Sequence, residues 1–174
     1  YEKVLDSGID LVLIATPGGF RPYHLRAAVA AGKHIFCEKP MAVDPHGIRI
    51  VMAAVKEAKR KKLALRAGFN MRFQPAYREA MKRIQDGAIG EIRSIYASRM
   101  SNKLARFDGI RKPDQSDLEY QLRNWHYFSW LSGDLILEIT VHSIDKIAWA
   151  MNDIAPARVI ASGARHQQTL GDIW

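Results

Sequence analysis

Asp10-Leu-Val-Leu-Ile-Ala-Thr-Pro-Gly-Gly19 decides the fold, together with His34-Ile-Phe-Cys-Glu-Lys-Pro40. Each is a short, continuous apolar run that stops abruptly at polar or turn-forming residues. A strand buried on both faces of a parallel sheet has this pattern, whereas a strand with one wet face alternates. Between the two runs the spacing predicts a helix. Pro22 stands near its first position, Leu25, Ala28 and Val29 form a stripe, and Gly32 is the stop. After the second run, Asp44-Pro45 reads as an N-cap and first helical residue. Ile48, Val51, Met52 and Val55 follow at i, i+3, i+4 and i+7 as the helical face. Leu63 to Phe69 is a third strand candidate. Strand–helix–strand–helix–strand implies right-handed crossovers and a doubly wound α/β sheet.

The pattern changes near residues 70–75, where we place a domain change. Pro75 to Asp86 reads as a helix ended by Gly87, and Glu91 to Met100 as a strand. Asn102 to Ser116 is a polar loop, and Leu118 to Leu131 an aromatic-rich helix. Ser132-Gly133-Asp134 is a break. Leu135 to Met151 is apolar nearly all round and is expected to be a buried helix. Ala157 to Ala164 is another strand candidate. No internal repeat is visible. The chain starts at Tyr1, not Met, in mid-element, and stops soon after a strand candidate, so it reads as an interior piece of a longer protein.

Composition narrows the function classes. Of 174 residues, 48% are hydrophobic and 25% charged, which fits a globular protein with a real core and excludes a disordered or low-complexity chain. The single cysteine, Cys37, excludes an internal disulfide and a thiolate zinc cluster, and reads as a small core residue. No apolar run is long enough to span a bilayer. The net charge of +8 raises the question of nucleic acid. Residues 1–87 hold 16 basic and 8 acidic side chains, and residues 88–174 hold 10 of each, so the excess lies wholly in the first part. Lys56, Lys59, Arg60, Lys61 and Lys62 crowd the end of one helix, where cations complement the helix dipole. No aromatic side chains interleave with them as a stacking surface would require. No nucleic-acid or membrane partner is expected.

Two constellations could carry chemistry. In an open parallel sheet, ligands bind beyond the carboxyl ends of the strands. Thr16-Pro17 and Glu38-Lys39-Pro40 stand at two such ends. A lysine there can hold an anionic ligand or a developing alkoxide, or be an exposed turn residue. The second constellation is Glu138, His142 and Asp145, at i, i+4 and i+7 on one helical face. Ionisable groups on an apolar helix are costly unless paired, so the set reads as general acid–base machinery or as a structural ion pair. A metal site is a third reading, weakened by the absence of any HExxH-type spacing, and none is expected. Trp125, Tyr127 and Trp130 read as packing or as a platform for the apolar faces of a sugar. His34 and His166 have no evident partner. Neither G-x-S-x-G, a Walker A loop nor G-x-G-x-x-G occurs.

The residues from Asp10 to Pro17, then His24, then Ala31-Gly-Lys-His-Ile-Phe-Cys-Glu-Lys-Pro40, resemble the glucose-fructose oxidoreductase / inositol dehydrogenase / MocA-like (Gfo/Idh/MocA) family. Asn70-Met-Arg-Phe-Gln-Pro-Ala-Tyr77 resembles that family's crossing between domains. Leu131 to Asp145 is similar to its carboxylate-x-x-x-His helix. Asn124-Trp125 through Asp134 most resembles a bacterial subgroup of oxidoreductases. The resemblance covers essentially the whole chain.

It implies part of a Rossmann domain over residues 1–72, then part of an α/β domain with a mostly antiparallel open sheet over 73–174. It implies NAD or NADP as cofactor, with Thr16, Pro17, His24, Glu38, Lys39, Asn70 and Arg72 on the cofactor side. It implies Lys39 as the catalytic lysine, His142 as general base and Glu138 as the residue that orients it. Trp125, Tyr127 and Asp145 are candidates for the substrate side. The implied reaction moves a hydride between the nicotinamide and a sugar, polyol or related hydroxyl compound. Rival activities are a glycosidase working by transient oxidation, a cofactor-sensing regulatory protein, and nucleic-acid binding from the charge. The whole protein is expected to be a homo-oligomer. Its compartment stays open between the cytoplasm and export. The acidic position is more often Asp in the family, and here it is the longer Glu138. The family's glycine-rich phosphate loop and ribose-reading acid lie before the position of Tyr1, so this chain alone is expected to bind a dinucleotide weakly or not at all.

Overall fold

In the computed structural model, residues 1–101, 111–164 and 171–172 are described. His166 and most of the expected 102–116 loop lie outside them. The core is a parallel sheet of β1 (Leu11–Ile14), β2 (His34–Cys37) and β3 (Leu65–Ala67), in that order. Leu11 faces His34 and Ile14 faces Cys37, and Cys37 in turn faces Ala67. The crossovers are α2 (Arg21–Ala30) and α3 (Pro45–Arg60), which pack on each other. Ile14, Leu25, Val29, Ile35, Cys37 and Val51 form the buried cluster between sheet and helices. A short α1 (Glu2–Leu5) precedes β1.

Local chemistry sets these elements where the sequence places them. Asp44 Oδ1 accepts the Gly47 amide hydrogen at 2.6 Å and Pro45 opens α3, so the N-cap reading holds. Gly32 has φ +71°, a left-handed conformation that ends the α2 crossover. Lys61 Nζ donates to the carbonyls of Val29 and Ala30, so the lysine-rich end of α3 caps the carboxyl end of α2. The third strand is shorter than expected, three residues in place of Leu63 to Phe69.

The face of α3 differs from the expected one. The buried residues are Gly47, Val51, Ala54 and Ala58, while Ile48, Met52 and Val55 are exposed. The helix turns its small residues inward because α2 lies close. A Cβ at Gly47 would stand 2.9 Å from both Ala42 Cβ and Pro22 Cγ. Among the described residues β1 is the outer strand on its side of the sheet, and Leu11 and Leu13 are exposed.

After β3 a 3-10 turn, Asn70–Phe73, leads into α4 (Pro75–Gln85). The expected strands at 91–100 and 157–164 are not formed, and both segments are largely exposed without regular structure. An extended segment becomes a strand only when a neighbour pairs its backbone groups, and no described segment does so here. The antiparallel sheet expected of the second part is therefore absent from the described residues. The aromatic-rich helix is broken into α5 (Asp117–Arg123), a 3-10 turn at Trp125–Tyr127, and α6 (Ser129–Ser132). Asn124 makes the break: its Nδ2 donates to the Tyr120 carbonyl at 3.1 Å, an asparagine competing with the helical ladder. The last helix begins as a π turn, Ile136–Thr140, and continues as α7 (Val141–Ala150). It is mostly half-buried, not buried, and only Ser143 is buried in α7. One face rests on α4, and Lys39, Phe69 and Arg72 meet it at Glu138, His142 and Asp145. No helix among the described residues is long and apolar enough to cross a membrane.

Candidate active site

The carboxyl ends of β1 and β2 carry Thr16-Pro17 and Glu38-Lys39-Pro40, as the parallel topology requires. Parallel pairing continues past the strands, because the Glu38 amide donates to the Ile14 carbonyl at 2.9 Å and that of Gly68 to Cys37 at 2.8 Å. This brings the ends of β2 and β3 side by side. The Glu38 carboxylate lies against Gly68, where a Cβ would stand 2.7 Å from it. Thr16 Oγ1 is 3.0 Å from His24 Nδ1, so Thr16 and His24 form a pair at the start of the crevice. They line a cavity of about 300 Å³ with Val12, Leu13 and Ile14. Pro17 is half-buried in the adjoining turn, and Asn70 is exposed.

The centre of the site joins residues 99 positions apart. Lys39 Nζ lies 2.7 Å from Glu138 Oε1 and 2.7 Å from the Glu138 carbonyl. The two side chains are only 13% and 12% exposed, so the pair is nearly closed to water. Burial pushes the Glu138 carboxyl above its ordinary range, Lys39 and Arg21 pull it back, and Glu38 adds to the upward push. Glu138 sits inside the π turn, an interruption of helical geometry that recurs at functional sites.

The expected bond between Glu138 and His142 is not made among the described residues. The π turn adds a residue to the helical turn between them, and Lys39 holds the Glu138 side chain instead. His142 sits with its ring edge-on to Phe69, centroids 6.4 Å apart. Burial holds its pKa below the ordinary imidazole value. Lys39, Arg99 and Lys146 act the same way, and Glu38 opposes them. His142 is therefore a neutral imidazole at neutral pH, within the electrostatic reach of Lys39.

Arg72 and Asp145 form a different unit. Arg72 Nε donates to Asp145 Oδ1 and Oδ2 at 2.9 and 3.0 Å, and its Nη2 to Asp153 Oδ1 at 2.6 Å. Its guanidinium also lies 5.4 Å from the Trp149 ring centre. Arg72 thus ties the turn after β3 to α7, and its guanidinium donors are spent on two carboxylates. Burial raises the Asp145 pKa and Arg72 opposes that rise. Tyr127 is 1% exposed and packs in the interior, so its ring presents no platform to a ligand. Trp125 stacks on His126, centroids 3.6 Å apart.

Two neighbours of the central pair escaped the sequence reading. His126 Nε2 lies 4.0 Å from Glu138 Oε1, and Arg21 is buried beside the turn that carries Lys39. No local pattern marks either one. Cys37 is fully buried and its thiol is pushed up to about 11, chiefly by burial, in keeping with a core residue.

Residues 1–69 match the GFO_IDH_MocA model, the oxidoreductase family with an NAD-binding Rossmann fold. That segment belongs to the Gfo/Idh/MocA oxidoreductase family. Similarity to curated members runs past the matched segment. Inositol 2-dehydrogenase of Rhizobium meliloti is 30% identical over 156 residues, which is 90% of this chain and 40% of that protein. Levoglucosan dehydrogenase of Pseudarthrobacter phenanthrenivorans is 31% identical over 158 residues, 90% of this chain and 37% of that one. Among solved structures, scyllo-inositol dehydrogenase from Lactobacillus casei with bound NAD(H) and scyllo-inositol is similar with a TM-score of 0.61 and 29% identity. That match covers 86% of this chain and 39% of the other. The chain thus spans about two-fifths of the length of these Gfo/Idh/MocA relatives.

Proposed function

We propose that the Lys39–Glu138 pair and His142 are the reactive centre of an NAD- or NADP-dependent oxidoreductase acting on a sugar, a polyol such as an inositol, or a related hydroxyl compound. The supporting observation is a nearly water-free lysine–carboxylate pair at the carboxyl end of a parallel strand, with a neutral histidine in its field. Residues 1–72 are read as part of the cofactor domain and 73–174 as part of the substrate domain.

The residues present suit one side of a dinucleotide. The cavity beside Thr16 and His24 has apolar walls from β1 and α1. Thr16, Pro17, His24, Glu38 and Lys39 would line the cofactor side beyond the carboxyl ends of β1 and β2. Arg72, held by two carboxylates, would act there through the placement of α7. When bound, the nicotinamide supplies the hydride acceptor or donor.

His142, neutral at working pH, takes the substrate hydroxyl proton on a ring nitrogen. The Lys39 ammonium stabilises the negative charge that develops on the oxygen, and a low-dielectric setting strengthens that interaction. Glu138 holds the ammonium in place through two contacts before substrate arrives.

The test is reduction of NAD and NADP by the whole protein across a panel of inositols, aldoses and anhydrosugars. Reduction that depends on one of these compounds is expected. Cleavage of aryl glycosides with no net cofactor reduction would contradict the reading and favour the glycosidase alternative.

A further inference from the structure

Arg21 opens α2 directly after the Gly18–Phe20 turn, and it is only 3% exposed. Burying a guanidinium is costly unless hydrogen bonds and opposite charges compensate. Its Nη1 donates to the Pro40 carbonyl at 2.9 Å. Its Nε is buried and has no hydrogen-bond partner among the described residues, and the same is true of Glu138 Oε2. The carboxylates whose charge reaches Arg21 are Glu138 and Glu38. The groups acting on Glu138 are Lys39, Arg21, Glu38 and, at 4.0 Å, His126.

We propose that Arg21 is a positioning residue for the reactive pair: it fixes the Lys39–Pro40 turn through the Pro40 carbonyl and places a second positive charge on Glu138. The proposal rests on reading Lys39 and Glu138 as that pair. Its logic is charge balance. Glu38, which accepts the Lys39 backbone amide hydrogen at 3.3 Å, and Glu138 are two carboxylates, and Lys39 and Arg21 are two cations, so the four charges balance. When Lys39 turns its ammonium to a substrate oxygen, Glu138 would otherwise remain as a buried anion with no cation beside it. Arg21 keeps a cation there, so Lys39 is released at lower cost. The separate donors of the guanidinium let Nη1 hold the Pro40 carbonyl while the charge stays fixed in the interior, which a lysine cannot match.

The test uses the whole protein without substrate or cofactor, so it is decided independently of any oxidoreductase activity. Glutamate carboxyl carbons are followed by NMR through a pH titration in the wild type, Arg21→Met and Arg21→Lys. In Arg21→Met, Glu138 is expected to bind its proton about threefold or more tightly, because a cation that favours its ionised form is gone. In Arg21→Lys, the Glu138 midpoint returns to within about twofold in proton affinity of the wild type, while the melting temperature stays lowered by loss of the fork. A purely structural arginine would lower the melting temperature in both variants and leave Glu138 unmoved, which would overturn the proposal. Should Arg21→Met not fold, the wild type decides. The Arg21 guanidinium protons are expected to exchange with solvent far more slowly than those of the exposed Arg78 and Arg93, and equal rates would overturn the clamp.

Discussion

Replacing Lys39 with Met removes the ammonium and leaves the Glu138 carboxylate buried. Two contacts of 2.7 Å disappear, one to Oε1 and one to the carbonyl. A hydrogen bond to a charged group contributes about 1.5–3 kcal/mol, and breaking one side of a buried ion pair costs about 3–5 kcal/mol. Residual exposure near 12% for Glu138 and the nearby Arg21 reduce that figure, so we expect about 2–4 kcal/mol at pH 8. At about 2–4 °C per kcal/mol for a chain of this size, the melting temperature falls by about 4–16 °C. The sign of the pH dependence follows from Glu138. Its folded pKa lies above its unfolded one, so its proton-linked stability is fully present below the unfolded value and is lost as pH rises through the folded one. Without Lys39 the folded pKa climbs further, and the loss relative to wild type grows from pH 5 to pH 8. Thermal and urea unfolding followed by circular dichroism at both pH values measure this. The double variant Lys39→Met/Glu138→Leu should recover most of the loss, because an apolar pair replaces a broken ionic one. The exposed pair Lys82–Asp86 is the control, and Lys82→Met should leave the melting temperature unchanged. A Lys39→Met loss that is as small as the control, or equal at pH 5 and 8, would refute the reasoning.

Further outcomes follow from other parts of the structure. In the whole protein, the acidic limb of the kcat/KM profile should fall below the ordinary histidine range, because burial and three cations keep His142 neutral to lower pH; a limb at or above that range would contradict its role as base. Gly19→Ala should destabilise strongly in thermal melts, because its Cβ would overlap the Trp130 carbonyl, and an unchanged melting temperature would show that this turn is not wedged there. Cys37 should react with a thiol reagent at neutral pH only as fast as the chain unfolds, since its thiol is buried and pushed up to about 11. Titrating NAD(H) and NADP(H) against this chain should show no micromolar binding, and micromolar affinity would sink that expectation.

The first half was legible because its rules are local. An apolar run between Asp10 and Thr16, a helix opened by Asp44-Pro45 and closed past Arg60, and Glu38-Lys39 at a strand end need only periodicity and turn chemistry. Even so, the inward face of α3 is not its most hydrophobic one: hydrophobicity favours Ile48 and Met52, while close packing on Pro22 and Ala42 selects Gly47 and the alanines. The second half depends on partners distant in sequence. Strands at 91–100 and 157–164 have a strand's composition but no described neighbour to pair with. The i, i+4 spacing of Glu138 and His142 assumed a regular helix, and the π turn altered it. The Lys39–Glu138 bond itself, and the burial of Arg21, arise from tertiary approach that no spacing encodes.

The most direct test of the central claim is turnover by the whole protein with Lys39→Ala and with His142→Ala, measured beside cofactor binding by the same variants. The account predicts that both variants lose turnover while cofactor still binds. Full turnover in either would contradict it.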